Sequence, residues 1–266
     1  MNIRTSRVRV WAAAFALTLG VGLAMPGTAS AVPSDATCVG GPVAPGTYGN
    51  LEIAGVCMAV DGDVHVMGSL TVDSGATLIA VFSSSNVTID GNAVVSPGGS
   101  MFLGCEPEAF PCFDDPSGLL ATHDVIRGTL VANGALASVV HHSTIGSGLR
   151  QSGGGGGVTC DTPIPGAPPF LPAYSDYEDN AISGGVTVSN LTTCWLGLFR
   201  NHVNGTVNYN NNKLADPDAN EVANNTVRGS LKCTGNDPAV QIGDSGGGPN
   251  TVTGMVTGQC ANPVIS

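Results

Sequence analysis

Apolar and polar positions alternate along much of this chain. The pattern is clear in Gly62-Asp63-Val64-His65-Val66-Met67-Gly68-Ser69-Leu70-Thr71-Val72 and again from Asn86 to Val95. A period of two turns one row of side chains inward and the next outward, which predicts short β-strands. A second pattern is laid over the first. The phrase Asp124-Val125-Ile126-Arg127-Gly128-Thr129-Leu130 returns with variations from Asn180, Asn201, Asn225 and Asn250, and in degenerate form from Ser143. Its Val or Ile recurs after 19 residues between Ile126 and Ile145, 21 between Ile182 and Val203, 24 to Val227 and 25 to Val252. A period near 20 residues, made of short strands and Gly turns, predicts a solenoid of stacked β-coils.

The expected fold is therefore all-β: a right-handed parallel β-helix, with the hand set by the usual rule for parallel crossovers. In such a stack the recurring Val and Ile pile into an apolar column. The Gly two positions later lets the backbone take the corner without a Cβ clash. Asn180, Asn201, Asn225 and Asn250 hold one place in the phrase, and are positioned to stack as an Asn ladder. Three segments interrupt the period and read as inserted loops: Gly104 to Ser117, Ser152 to Tyr177 with its run of five Gly, and Leu214 to Glu221. Loops on a rigid scaffold carry function more often than the scaffold does.

The first residues stand apart from this pattern. Arg4, Arg7 and Arg9 precede an apolar run from Trp11 to about Met25, and Ala29-Ser30-Ala31 is a small-residue cleavage pattern. This predicts a secretory signal peptide over 1–31 and a single β-helix domain over 32–266, exported and not inserted in a membrane after cleavage. Cleavage removes three of nine basic residues and leaves 20 acidic ones, a net charge near −14. Arg127, Arg150, Arg200, Lys213, Arg228 and Lys232 are too few and too scattered for a phosphate-binding surface, so nucleic acid is not an expected partner.

All eight Cys lie beyond the signal: Cys38, Cys57, Cys105, Cys112, Cys160, Cys194, Cys233 and Cys260. An even count in an exported chain predicts disulfides, although eight Cys allow 105 pairings. Sequence neighbours should meet on neighbouring coils, which favours Cys38–Cys57, Cys105–Cys112, Cys160–Cys194 and Cys233–Cys260. Metal binding is the alternative, but no Cys-x-x-Cys pair or Cys/His cluster marks a metal site.

Gly46-Thr47-Tyr48-Gly49-Asn50-Leu51, the repeated Asn-x-Val-x-Gly-x-Val coils, Phe102-Leu103-Gly104-Cys105, Ser175-Asp176-Tyr177-Glu178-Asp179-Asn180, Cys194-Trp195-Leu196-Gly197 and Gly258-Gln259-Cys260-Ala261 together resemble a group of secreted proteins of high-GC Gram-positive bacteria. The resemblance spans almost the whole chain after the signal. It implies a right-handed parallel β-helix and carries no activity with it.

Gly243-Asp244-Ser245-Gly246-Gly247-Gly248-Pro249 resembles the nucleophile segment of chymotrypsin-like serine proteases, but no His occurs in the Ala-His-Cys context that such a triad requires. A Gly-rich connection before the last coil explains the segment. Acidic clusters occur at Asp114-Asp115, at Asp176, Glu178 and Asp179, and at Asp216, Asp218 and Glu221. Paired carboxylates of this kind serve glycoside hydrolysis, or hold Ca²⁺ in lyases. His141-His142 is a possible ligand pair, but neighbours on a strand face opposite ways. Trp195 beside Cys194 is either a sugar-stacking platform or packing over a disulfide, and the scarcity of aromatics argues against a long carbohydrate groove.

The expectation is a non-enzymatic structural or adhesive module that binds polysaccharide or cell-wall components, or self-associates through its open ends. The alternative is a polysaccharide lyase or hydrolase of the β-helix type. No catalytic residue is assigned. Trp195, Asp114, Asp115, Asp216 and Asp218 are the ligand-binding candidates. No cofactor is expected beyond weak Ca²⁺ at the acidic loops.

Overall fold

The computed structural model describes residues 33–107, 110–243 and 246–265. The expected signal peptide, and Asp244 and Ser245 of the protease-like segment, lie outside the described residues.

The chain winds as a right-handed parallel β-helix with three sheets along its length. Each coil gives one short strand to each sheet. In one coil Leu149–Ser152 lies in the first sheet, Ser175–Glu178 in the second and Ala181–Ile182 in the third; Val186–Ser189 then returns to the first. Among the described residues the three sheets hold ten, ten and nine strands, all paired in parallel from coil to coil. A two-stranded pair, Thr192–Thr193 with Lys213–Leu214, fills one corner.

Register turns the sequence repeat into columns. The Val or Ile of the repeated phrase forms a continuous inward stack in the third sheet: Ile126, Ile145, Ile182, Val203, Val227 and Val252. Leu130, Leu149, Val186, Val207 and Leu231 do the same in the first. These side chains are fully or almost fully buried, apart from the half-buried Val252 near the end of the stack. Parallel strands gain this stacking only because each coil repeats the inward residue at the same place.

The corners are held by polar ladders. Asn180 N–H donates to Asn201 Oδ1 at 3.1 Å, Asn201 N–H to Asn225 Oδ1 at 3.0 Å, and Asn225 N–H to Asn250 Oδ1 at 2.9 Å. The Nδ2 of each buried Asn donates both to the next Asn and to a strand carbonyl, as Asn201 does to Tyr177. Buried amides are affordable only when satisfied in this way. Asp124 stands in the same column and accepts from Val87 N–H at 2.5 Å. A second ladder, Asn212–Asn236–Gln259, runs along another corner.

The phrase Gly is needed for close approach. A Cβ on Gly229 would sit 2.5 Å from the Gly205 carbonyl oxygen of the coil before it, and that same carbonyl accepts from Gly229 N–H at 3.1 Å.

The disulfides are Cys38–Cys57, Cys105–Cys112, Cys160–Cys194 and Cys233–Cys260, with no free Cys. Each joins sequence neighbours. No helix among the described residues is long and apolar enough to cross a membrane.

Candidate functional site

The site grows from a break in the alternation. Strands of the first sheet bury alternate residues, whereas central strands of the second bury every one, as in Ser100–Leu103, Ala137–His141, Ser175–Glu178 and Leu196–Phe199. Two inserted segments cover the outer face of the second sheet. The first, following Leu103, is closed on itself by Cys105–Cys112 and by Glu106 N–H donating to the Phe110 carbonyl at 2.8 Å. The second runs from Gly153 to Tyr174, shorter at its end than the sequence implied because Ser175–Glu178 is a strand. The five glycines at its start, Gly153 to Gly157, all take positive φ, between 68° and 103°, a path that L side chains rarely follow. That path lays Ile164, Ala173 and Tyr174 against Phe102, Ala137 and Val139, and Cys160–Cys194 pins it.

Beside this covering lies a cleft of about 600 Å³, within the range of small-ligand sites. One wall is aromatic. Trp195 stacks on Phe199 with centroids 5.8 Å apart and meets Tyr174 edge-on at 6.0 Å. The other wall is charged and comes from strand ends. His141, Glu178 and Phe199 occupy one outward register, and Val139, Asp176 and Gly197 the next. The corner that follows takes left-handed φ at His142 (45°), Asp179 (54°) and Arg200 (49°), so the alternation of strand neighbours stops there. His142 lines the cleft, with its Nδ1 2.6 Å from the Thr122 carbonyl oxygen.

His141 is fully buried at the centre of this wall. Its Nδ1 lies 3.1 Å from Glu106 Oε1 and 3.3 Å from Glu178 Oε2, and its Nε2 lies 3.1 Å from Asp176 Oδ2. The Nε2 contact is an ion-pair approach without hydrogen-bond alignment. Burial alone would depress the imidazole pKa, but Asp176 and Glu106 at its two nitrogens, with Glu178, outweigh it and raise it to about 10. Burial, together with the Asp176 charge, raises the Glu178 carboxyl to about 7 against the opposing pull of His141 and Arg200. Arg200 holds Asp179 through Nε at 2.8 and 3.0 Å and also reaches Glu178. Burial works against its charge, but the bond to Asp179 and the charges of Glu178 and Asp179 raise its pKa above the usual guanidinium value.

The arrangement offers an aromatic face for stacking, carboxylates for hydrogen bonding or proton transfer, and a ligand set. Glu106, His141 and Glu178 each bring one ligand atom to a common space, all within 4.8 Å of one another. Gly197 permits close packing of the two walls: a Cβ there would stand 2.5 Å from both Asp176 Oδ1 and Trp195 Cη2.

Among the ligand-binding candidates, Trp195 lines this cleft. The other four lie elsewhere. Asp114 accepts from Ser84 N–H at 2.8 Å and from the Ser83 and Ser84 hydroxyls. Asp115 caps its own loop by accepting from the N–H groups of Ser117, Leu119 and Leu120, and these bonds, with Leu120's the strongest, lower its pKa to about 2. Asp216 accepts from Asp218 N–H at 3.0 Å, and Asp218 is exposed. Glu106 was not singled out in the sequence, His141 was weighed only as half of a pair with His142, and Arg200 only as one of six scattered basic residues. A signal for one of them existed: His141 and Glu178 stand two places before Ser143 and Asn180, so aligning the coils superposes them.

No protein family, curated protein or solved structure matches the chain. Of the resemblance drawn from the sequence, the structure bears out the parallel β-solenoid with its disulfides.

Proposed function

We propose that this protein is an exported, disulfide-clipped β-solenoid that binds a short glycan segment in the cleft on its second sheet. The carrying observation is the Trp195–Phe199 stack facing a row of carboxylates across a cleft of about 600 Å³. Aromatic faces suit the apolar faces of sugar rings, and carboxylates suit their hydroxyls. Four acidic side chains, Glu106, Asp176, Glu178 and Asp179, outnumber His141 and Arg200 there. This balance favours neutral or amino sugars over uronates. Four disulfides and the likeness to secreted proteins of high-GC Gram-positive bacteria support an extracellular setting, with cell-wall polysaccharide as the ligand source. The cleft is compact, in keeping with the scarcity of aromatics, and holds a few sugar units.

One observation favours the hydrolytic alternative. Asp176 and Glu178 project outward two residues apart on one strand, about 6.6 Å between Cα atoms by strand geometry. The raised Glu178 pKa also keeps a share of that carboxyl protonated near neutrality.

Co-sedimentation of the oxidised protein with cell-wall preparations and defined polysaccharides, with polymer length followed in parallel, separates the two. Binding without shortening, weakened about fivefold or more by Trp195→Ala, is the expected result. Shortening abolished by Asp176→Asn would establish the hydrolase. Neither binding nor shortening would remove glycans from consideration and leave self-association through the end coil, where Met255, Val264 and Ile265 are exposed.

A further inference from the structure

We infer that Glu106, His141 and Glu178 form a binding site for one divalent transition-metal ion of the zinc class, with Asp176 orienting the histidine from behind. This site does not depend on whether a sugar occupies the cleft.

The geometry comes first. His141 Nδ1 stands 3.1 Å from Glu106 Oε1 and 3.3 Å from Glu178 Oε2. With metal–ligand bonds of about 2.0–2.2 Å, tetrahedral ligand atoms are separated by about 3.3–3.6 Å. The three atoms therefore already mark out one face of a coordination shell. The opposite side of the imidazole is equally specific: Nε2 lies 3.1 Å from Asp176 Oδ2. Without an ion this approach is not aligned as a hydrogen bond. With Nδ1 on the ion, the Nε2 proton has Asp176 as its acceptor, and a carboxylate in that role fixes the tautomer and raises the basicity of a ligating histidine.

Charge makes the second argument. His141 is fully buried, and Glu106, Asp176 and Glu178 are each at most 8% exposed. Arg200, which reaches Glu178, is committed to Asp179. Three carboxylates around one imidazolium still leave net negative charge in a place with little water to stabilise it, and such an excess is costly. A divalent cation offsets it.

Third, a buried acceptor is left over. Asp176 Oδ1 has no hydrogen-bond partner and lines the cleft. Gly197 is the register neighbour of Asp176, and a Cβ there would collide with Oδ1. Trp195 and Phe199 close over the same spot, so only glycine lets the Asp176 carboxylate pack this tightly against the aromatic wall. The Phe110 ring, 4.3 Å from the His141 ring, shields the other side, and Cys105–Cys112 holds the segment that brings Glu106 in.

The ligand set selects the ion class. Imidazole with two carboxylates suits zinc and its first-row neighbours, whereas Ca²⁺ and Mg²⁺ call for oxygen-only shells. The weak Ca²⁺ expected at Asp114, Asp115, Asp216 and Asp218 is a separate matter, because those residues lie outside the cleft lining.

The test is calorimetric titration of chelator-treated, oxidised protein with ZnCl₂, and separately with CaCl₂, backed by the visible spectrum with CoCl₂. One equivalent of Zn²⁺ at micromolar affinity or tighter, a low-symmetry Co²⁺ spectrum and a zinc-dependent rise in Tm are expected. Glu106→Gln and Glu178→Gln should each weaken Zn²⁺ at least tenfold, and Asp176→Asn about 10–100-fold. Trp195→Ala and Asp216→Asn should leave it unchanged. The Gln variants preserve side-chain volume, so they keep the test decisive if His141→Ala fails to fold. Absence of stoichiometric Zn²⁺ binding would overturn the site. So would Zn²⁺ binding that ignores both Gln variants, or a preference for Ca²⁺. Because Trp195→Ala disables stacking and spares the ion, failure of the metal site and failure of glycan binding are distinguishable.

Discussion

The first and second sheets are built by the same coils, yet their outer faces have different lives. Along the first sheet one outward column runs Glu52, Thr71, Val94, Val131, Arg150, Thr187, Asn208 and Lys232. Along the second the equivalent column runs Met58, Ile79, Phe102, Val139, Asp176, Gly197 and Glu221. The first is largely polar, and none of these eight residues is buried. The second is apolar for half its length and then abruptly acidic, and from Phe102 to Glu221 all of it is buried. Inserted segments cover its apolar half, and the cleft opens where the acids begin. The comparison teaches that repetition makes a neutral scaffold, while the site is made where one face stops repeating.

The largest effect should come from the covered column. Phe102→Ala removes a ring packed beneath Tyr174 and should cost about 3–5 kcal/mol, whereas Thr187→Ala on the first sheet should stay within about 0.5 kcal/mol. Urea unfolding of both variants checks this. Similar small losses would mean that the inserted segment does not truly pack on the second sheet.

Next comes the clip. Replacing Cys105 and Cys112 together by Ser should lower stability by about 2 kcal/mol and release Glu106 from the cleft. Zinc affinity falling with unchanged far-UV circular dichroism would place the defect in the site and leave the coils intact.

The smallest effect concerns Asp124, which does in the ladder column what Asn does elsewhere. Burial raises its pKa to about 7, and its Oδ2 has no hydrogen-bond partner. Its folded pKa lies above its unfolded value of 3.8, so the folded state holds the proton more tightly. The stability this contributes is present at low pH and is lost as pH climbs from about 4 through 7. Asp124→Asn should flatten that part of the Tm–pH profile and stabilise the protein by about 1–3 kcal/mol above pH 7. A profile unchanged by the substitution would show that Asp124 does not titrate in this window.

The scaffold was legible because it is periodic. The Val/Ile stack, the ladder through Asn180, Asn201, Asn225 and Asn250, and the close-packed Gly column each followed from one phrase, since identical coils must superpose identical residues. The neighbour pairing of the cysteines follows from the same stacking logic. The Asn212–Asn236–Gln259 ladder was not read, because its last member is Gln and no repeated phrase surrounds it.

The candidate site was legible only in pieces. Trp195, the acids at 176, 178 and 179, and the His141-His142 pair each stood out, but as separate features. Adjacent histidines were expected on opposite faces; the left-handed corner at His142 ends the strand, so His142 lines the cleft while His141 is buried among Glu106, Asp176 and Glu178. Asp114, Asp115, Asp216 and Asp218 drew attention because acids cluster there, yet Asp115 and Asp216 shape their own loops and Asp114 ties its loop to Ser83 and Ser84.

The sequence by itself determined the coil, its period and its inward columns, because all of these depend on local alternation and on one repeat distance; it favoured the neighbour pairing of the cysteines, which the structure settled. Only the tertiary structure decided which outer face is covered, how Glu106 reaches His141 across 35 residues, and why Asp176 has room beside Gly197. Those outcomes depend on loops that do not repeat, and a loop's landing place is set by what it packs against once the coils are stacked.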